Sequence, residues 1–275
     1  MGSVLLTTKH HTAWRETGAL CLRAALSAEW MQIIADGFEQ SLANPGPLSK
    51  DYGEGEGRFF TDHAMYRRIA PLRQFVHESP LPGIAAELLN AGQLRLVDDH
   101  LLVKEPGTSN PTYWHHDFPY FQFDGDDFIN FWVPLDPVTQ DSGAMRFAAG
   151  SHRWGKLYHP VRIGKGDLIA QAEDLDGPVP DIDAEPEKYP VMTWDLQPGD
   201  ILVFHGKTLH AARPNTTLDR RRRALAIRYT GDDIRWRPRP YAPADESVRD
   251  LKAGEPIACE AYPLVWDNGM RLEPA

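Results

Sequence analysis

Residues 113–118 read Tyr-Trp-His-His-Asp-Phe, which places two histidines and an aspartate, all metal-ligand types, in three consecutive positions. In an extended strand successive side chains alternate between faces, so positions i and i+2 point the same way. His115 and Asp117 would then face one side together, and His116 the other. On that geometry His115 and Asp117 are the ligands and His116 a bystander. The flanking aromatic residues help keep bulk water from the site.

Two donors do not hold a metal, so a third must arrive from elsewhere in the chain. Two histidines and one carboxylate form a facial set that suits Fe(II) and leaves three coordination positions open. His152, His205 and His210 are the candidates. The last two share the segment GDILVFHGKTLHAARPN at 199–215, and the spacing alone does not choose between them.

Elements must carry these residues to one place. Over 27–43, Trp30, Ile34, Phe38 and Leu42 recur at four-residue steps, the stripe of a helix, with Ser27 as its N-cap and NPGP at 44–47 ending it. EGEGR at 54–58 reads as a mobile polar loop. Further helices are expected around 62–77 and 82–91, the latter ending near Gly92. From residue 93 the chain reads as strands separated by Pro, Gly and Asp turns: QLRLVDDHLLVK, FINFWVPLD, AMRFAAGSH, DILVFHGKT and RALAIRY. Short strands at this spacing favour a sandwich or barrel, and the lack of strand–helix alternation argues against a parallel doubly wound sheet. The long acidic, proline-containing stretch 160–197 reads as a lid or binding loop.

In order and spacing, WHHDFPYF, FWVPLDPVTQDSGAMRFAAGSH, GDILVFHGKTLHAARPN and RRRALAIRY resemble the phytanoyl-CoA dioxygenase family. These are Fe(II)- and 2-oxoglutarate-dependent oxygenases built on a double-stranded β-helix. The resemblance covers most of 94–230 and, more loosely, the N-terminal part. It implies a mainly β fold with flanking helices, a jelly-roll or cupin-like barrel with the N-terminal helices packed outside. The expected organisation is a single domain over 1–275: a helical part to about 92, a core over about 93–230 with the insert 160–197, and a tail over 231–275.

The resemblance also implies roles. His210, the second histidine of the F-H-x-x-x-x-H segment, becomes the third ligand, with His205 supporting or structural, and His116 and His152 structural or pocket-lining. An arginine on the next strand clamps the distal carboxylate of 2-oxoglutarate, seven residues before a closing aromatic, which counts back from Tyr229 to Arg222. Period two agrees: Arg222, Ala224 and Ala226 share a face with room for a cosubstrate, while Leu225, Ile227 and Tyr229 suit packing under helices. Arg221 and Arg223 are the alternatives. Trp132 is expected beside the cosubstrate, with His100 and Lys104 on a pocket-lining strand. Ala212 stands where some relatives carry a serine.

Fe(II), 2-oxoglutarate and O2 are thus the implied cofactor and cosubstrates. The implied reaction is hydroxylation of an unactivated C–H bond of a small organic molecule, with release of succinate and CO2. Asp117 fills the position that carboxylate-lacking halogenases leave for chloride, which favours hydroxylation. The same chemistry on an acyl-CoA thioester, a non-catalytic cupin-like metal-binding protein and a zinc hydrolase are the competing readings, and the last two have no use for a clamp. Arg235, Arg237 and Arg239 in RWRPRP are either a second anion contact or an exposed basic loop.

Composition bounds the rest. The 275 residues, 42% hydrophobic, suffice for a packed core. A net charge of −10 argues against nucleic acid and anionic membranes as partners, leaving a small-molecule substrate and a monomer or homodimer. No run approaches the roughly 20 apolar residues of a membrane helix, and the N-terminus lacks the features of a signal peptide or a myristoylation site. Cys21 and Cys259, far apart, read as free thiols in a reducing compartment, the cytoplasm.

Overall fold

The computed structural model describes residues 5–52, 57–162, 165–169, 172–242, 248 and 250–273; residues 54–56 of the expected mobile loop lie outside them. The helices are α1 (Thr8–Thr17), α2 (Ala28–Ala43), α3 (Ala70–Glu78) and α4 (Leu81–Leu89). The strands begin with β1 (Ala19–Leu22), β2 (Lys50–Asp51), β3 (Phe59–His63), β4 (Gln93–Lys104), β5 (Thr112–His115), β6 (Phe123–Asp124) and β7 (Phe128–Pro134). They continue with β8 (Met145–Ala148), β9 (Val191–Thr193), β10 (Ile201–His205), β11 (His210–Ala212) and β12 (Arg222–Thr230). Last come β13 (Arg235–Trp236), β14 (Leu264–Asp267) and β15 (Met270–Arg271).

A large sheet runs β1-β10-β7-β12-β4-β14-β15, with β3 also pairing β4 and β2 pairing β3. A smaller one runs β5-β11-β8-β9. The pairings in both are antiparallel. Period-two alternation sorts the large sheet into two environments. Leu101, Val103, Phe131, Val133, Ile201, Val203, Leu225, Ile227 and Tyr229 pack with helix residues such as Trp30, Ile34, Phe38, Phe75 and Ile84. The opposite parity, Trp132, Leu202, Phe204, Ala224 and Ala226, meets Met145, Phe147 and Ala212 of the small sheet. The helices lie outside and a cavity opens between the sheets, the jelly-roll arrangement.

Helix α2 starts as expected, with the Ser27 side chain accepting from the Trp30 N–H, and it ends at Asn44. Trp30, Ile34 and Phe38 are buried, whereas Leu42 is only partly so. Elsewhere the N-terminal third departs from an all-helical reading. β1 and β3 join the large sheet, and residues 62–63 belong to β3, so the helix expected from 62 begins only at Ala70. Phe59, Phe60, Thr61 and Asp62 are all buried, so both faces of β3 are covered and no alternation marks it as a strand. α4 closes at Asn90 in the left-handed conformation (φ 53°), two residues before Gly92.

The insert 160–197 supplies the edge strand β9 of the small sheet. Its described residues cover the back of the small sheet. Ile182 is fully buried against Ala148 and Leu209, and Asp183 accepts from Trp114 Nε1 and pairs with Arg146. None of the described insert residues lines the cavity. Its walls include Leu48 and Lys50, Tyr120 and Phe121, and Ala261 and Tyr262 of the C-terminal tail.

Candidate metal and cosubstrate site

β11 is flanked by β5 and β8, and its register sets His210 directly opposite His115. The two imidazoles lie with ring centroids 4.2 Å apart. Each ring has its Nδ1 beside the carbonyl two residues back: His115 at 2.8 Å from Tyr113 O and His210 at 3.0 Å from Thr208 O. A carbonyl only accepts, so Nδ1 carries the proton in both and Nε2 is left with a free lone pair. This fixes the tautomer that a metal ligand needs.

Asp117 completes the set. Its Oδ1 is 3.6 Å from His115 Nε2 and 3.8 Å from His210 Nε2. His115, Asp117 and His210 are the group, among the described residues, that brings three metal-ligating atoms within 4.8 Å of one another. The route differs from the parity argument. β5 ends at His115, and Asp117 has φ −72° and ψ −27°, heading a 3-10 turn over Phe118–Tyr120. The turn, not a continuing strand, points its carboxylate at the histidines.

Electrostatics fit a site made for a cation. Burial alone would raise the Asp117 carboxyl, but Arg228 and the two imidazoles override it and hold it well below the usual range. Burial, and then neighbouring His115, push His210 down to about 3, so this ring is neutral near pH 7. Two imidazoles and a carboxylate are the donor set of a facial Fe(II) site.

The bystanders are engaged elsewhere. His116 Nε2 accepts from the Tyr158 N–H at 2.9 Å, and burial lowers the ring to about 4. His205 Nδ1 accepts from the Lys207 N–H, and its ring packs against Trp14 and His152. Tyr120, edge-on to His115, has its hydroxyl bound to both the N–H and the carbonyl of Val161.

The four consecutive arginines separate cleanly. Arg221 pairs with Glu105 at 2.7 Å, Arg223 with Asp136 at 2.9 Å, and Arg220 approaches Asp219 at 3.8 Å. Arg222 is 2% exposed, lines the cavity, leaves its Nε without a hydrogen bond, and has no ion pair among the described residues. Burial pushes it down to about 10, still a cation near pH 7. Its guanidinium lies 5.4 Å from the Trp132 ring centre, and Trp132 also lines the cavity. Cross-strand from Arg222 is Lys104, fully buried, with Nζ 3.0 Å from the Arg213 carbonyl. Burial, and then Arg222, pull that ammonium well below its ordinary range. Arg222, a buried cation on the cavity wall with no carboxylate partner among the described residues, is what an incoming carboxylate would satisfy.

His100 and Leu102 line the cavity, whereas Lys104 of the same parity is not on its wall. His100 stacks on His63 with ring centres 3.7 Å apart, and its Nε2 has no partner. Ala212 lines the cavity with a methyl group, so no hydroxyl is offered there. The RWRPRP arginines bind within the fold: Arg237 to Asp124 and Asp174, Arg239 to Asp124 and two carbonyls, and Arg235 to the Asp232 and Ile234 carbonyls. One residue of the site went unread in the sequence. Arg228 continues the parity of Arg222, Ala224 and Ala226, and its Nε donates to Asp117 Oδ2 at 2.9 Å.

The family model for phytanoyl-CoA dioxygenase (PhyH) matches residues 14–224, which takes in His115, Asp117 and His210 and reaches Arg222 at the start of β12. The chain belongs to the phytanoyl-CoA dioxygenase family. Fe(II) and 2-oxoglutarate are the metal and cosubstrate of this family's dioxygenases, and the donor set and the orphaned Arg222 fit both. Among relatives, the chain is 29% identical over 140 residues to a probable alpha-ketoglutarate-dependent hypophosphite dioxygenase of Stutzerimonas stutzeri, covering 51% of this chain and 46% of that protein. It is 24% identical over 237 residues to the dioxygenase cdmD of Talaromyces verruculosus, covering 76% and 69%. The chain thus spans less than half the length of the first relative.

Solved structures give the same architecture. The non-heme alpha-ketoglutarate-dependent carbocyclase SnoK from nogalamycin biosynthesis superposes with a TM-score of 0.73 at 24% identity, covering 96% of this chain and 99% of that one. EctD from S. alaskensis, solved with 2-oxoglutarate and 5-hydroxyectoine, gives 0.70 at 18%, covering 92% and 86%. At these identities the likeness is one of fold. No helix among the described residues is long and apolar enough to cross a membrane.

Proposed function

We propose that the protein is an Fe(II)- and 2-oxoglutarate-dependent dioxygenase that hydroxylates an unactivated C–H bond of a small organic molecule. The observation that carries this reading is the cavity that contains His115, Asp117 and His210 together with the unpaired, buried Arg222. A non-catalytic metal barrel or a zinc hydrolase would gain nothing from such an arginine. The metal and 2-oxoglutarate supply the chemistry: with O2 they couple decarboxylation to succinate and CO2 with insertion of one oxygen atom into a C–H bond. The chain's residues do the rest. His115, Asp117 and His210 would hold the metal on one side, Arg222 would bind the distal carboxylate, and Trp132 packs against the guanidinium. The Tyr120, Phe121 and Phe204 rings make the cavity largely apolar and exclude water.

The size of the cavity favours a small substrate. The cavity volume is about 460 Å³, toward the lower part of the roughly 300–1,000 Å³ range for small-molecule sites, and 2-oxoglutarate takes part of it. A free metabolite fits the remainder, whereas an acyl-CoA would leave most of its length outside. Charge does not make this choice. Among the acids of the insert, Asp174 pairs with Arg237, Asp176 with Lys156 and Asp183 with Arg146, and none of the described ones lines the cavity.

The reading treats the chain as one catalytic domain, supported by β1, β3 and β14 from both ends of the chain entering one sheet. It places the enzyme in the cytoplasm, a reading supported by two free cysteines, and takes it to be a monomer or homodimer. The direct test is succinate release from 2-oxoglutarate with Fe(II), screened over a metabolite library. Succinate formation stimulated by no free metabolite but by acyl-CoAs would transfer the proposal to thioester substrates.

A further inference from the structure

Behind Asp117 runs a chain of polar side chains that metal and 2-oxoglutarate binding do not use. Arg228 Nε donates to Asp117 Oδ2 at 2.9 Å, and its Nη1 donates to Asp98 Oδ2 at 3.3 Å. The same Asp98 oxygen lies 2.9 Å from His63 Nδ1, and His63 is stacked on His100. Asp98 Oδ1 accepts from the Ala64 N–H. Arg228 and Asp117 are both buried, and the guanidinium sits 5.8 Å from the Phe121 ring centre. One arginine therefore bridges two carboxylates, and only the nearer one, through its other oxygen, faces the paired imidazoles.

We propose that Arg228 is the positioning residue that makes Asp117 a ligand through Oδ1 alone, and that Asp98, locked by His63 and the Ala64 N–H, holds Arg228 in that attitude. The inference rests on reading His115, Asp117 and His210 as the metal site. A carboxylate free to turn can chelate through both oxygens. In a six-position metal sphere the second oxygen would take one of the three places that 2-oxoglutarate and O2 require. The charge-assisted bond from Arg228 occupies Oδ2 and fixes the rotation of the carboxylate. The planar guanidinium reaches both carboxylates from one rigid group, which an ammonium, a flexible point charge, does not reproduce. The turn at Asp117 makes this support necessary, because residue 117 has left the ladder that steadies His115.

The test uses Arg228→Gln and Arg228→Lys in the full chain, with anaerobic Co(II) as the probe metal and His115→Ala as a control. Thermal unfolding establishes that each variant is folded. Arg228→Gln is expected to weaken Co(II) binding about 10- to 100-fold, as changes behind a ligand typically do, and to alter the Co(II) visible spectrum as the coordination number changes. Arg228→Lys is expected to recover part of the affinity but not the wild-type spectrum. Wild-type affinity and spectrum in folded Arg228→Gln would overturn the proposal. Where the Gln variant does not fold, the same result in Arg228→Lys overturns it. Unchanged Co(II) binding in His115→Ala would instead remove the metal-site reading itself.

Discussion

Arg222 shows how a single side chain is singled out by what its neighbours already hold. Arg221 and Arg223 face away and meet Glu105 and Asp136, so their removal exposes or frees a surface acid. Arg222 keeps a buried charge with no ion pair among the described residues, the place proposed for the 2-oxoglutarate carboxylate. Breaking one side of such a buried pair costs about 3–5 kcal/mol, which at roughly 1.4 kcal/mol per tenfold corresponds to ~100- to 4,000-fold. Arg222→Ala is therefore expected to raise the apparent KM for 2-oxoglutarate at least about a hundredfold while Fe(II) still binds, and Arg221→Ala or Arg223→Ala only a few fold. Steady-state titration of 2-oxoglutarate against the three variants checks this. At the metal, His115→Ala, Asp117→Ala and His210→Ala should each abolish Fe(II) binding, whereas His116→Ala and His205→Ala should retain it; anaerobic iron titration of all five decides. Much of this constellation was legible because residue types and segment order carry it. The conformation of Asp117 was not, since a turn and a strand look alike over three residues. Nor was Arg228, whose partners Asp117 and Asp98 lie 111 and 130 positions away, so nothing local marks it.

Among the elements, β12 could be read because its two faces meet different surroundings, helices on one side and the cavity on the other, and small and large residues alternate accordingly, whereas β7 and β10, buried throughout, stood out as apolar runs bounded by turn residues. β1 could not: four residues, Ala19–Leu22, are too few to show a period, and they become a strand by pairing with β10. The turn between β10 and β11 sets the position of His210 and has its own constraint. A Cβ at Gly206 would sit 2.0 Å from Phe128 Cδ1, inside van der Waals contact. The backbone of Gly206 also donates to the Phe128 carbonyl and accepts from the Phe118 N–H. Gly206→Ala must push the turn or the Phe128 ring, and overpacking of this kind costs about 1–3 kcal/mol. The expected outcome is a lower melting temperature together with weaker Fe(II) binding, read by calorimetry and metal titration. A wild-type melting temperature would show that the ring moves aside freely.

For the whole molecule, burial of neutral groups ties stability to pH. His116 and His205 are pushed down to about 4 and His210 to about 3, chiefly by burial, against an ordinary value of 6.5. Above pH 6.5 the folded and unfolded chains bind the same number of protons at these rings. Below it the unfolded chain takes up protons that the fold refuses, so stability falls as pH drops, down to about 4. One unit below 6.5, three such rings amount to about 4 kcal/mol at ~1.4 kcal/mol per unit each. The melting temperature of the metal-free protein should therefore fall steadily between pH 7 and pH 5; a flat profile would mean that these rings protonate within the fold. Burial likewise pushes the Cys21 thiol up to about 11, so at pH 8 it should react with iodoacetamide far more slowly than an ordinary thiol, as mass spectrometry of timed samples will show.

The central claim is that one cavity binds a metal and 2-oxoglutarate together, and anaerobic calorimetric titration of 2-oxoglutarate tests it most directly. With Fe(II) present the wild-type protein should bind one equivalent; without metal, or in Arg222→Ala with metal, binding should weaken at least about a hundredfold. Equal 2-oxoglutarate binding with and without Fe(II), or an Arg222→Ala variant that binds it as wild type does, would contradict the account.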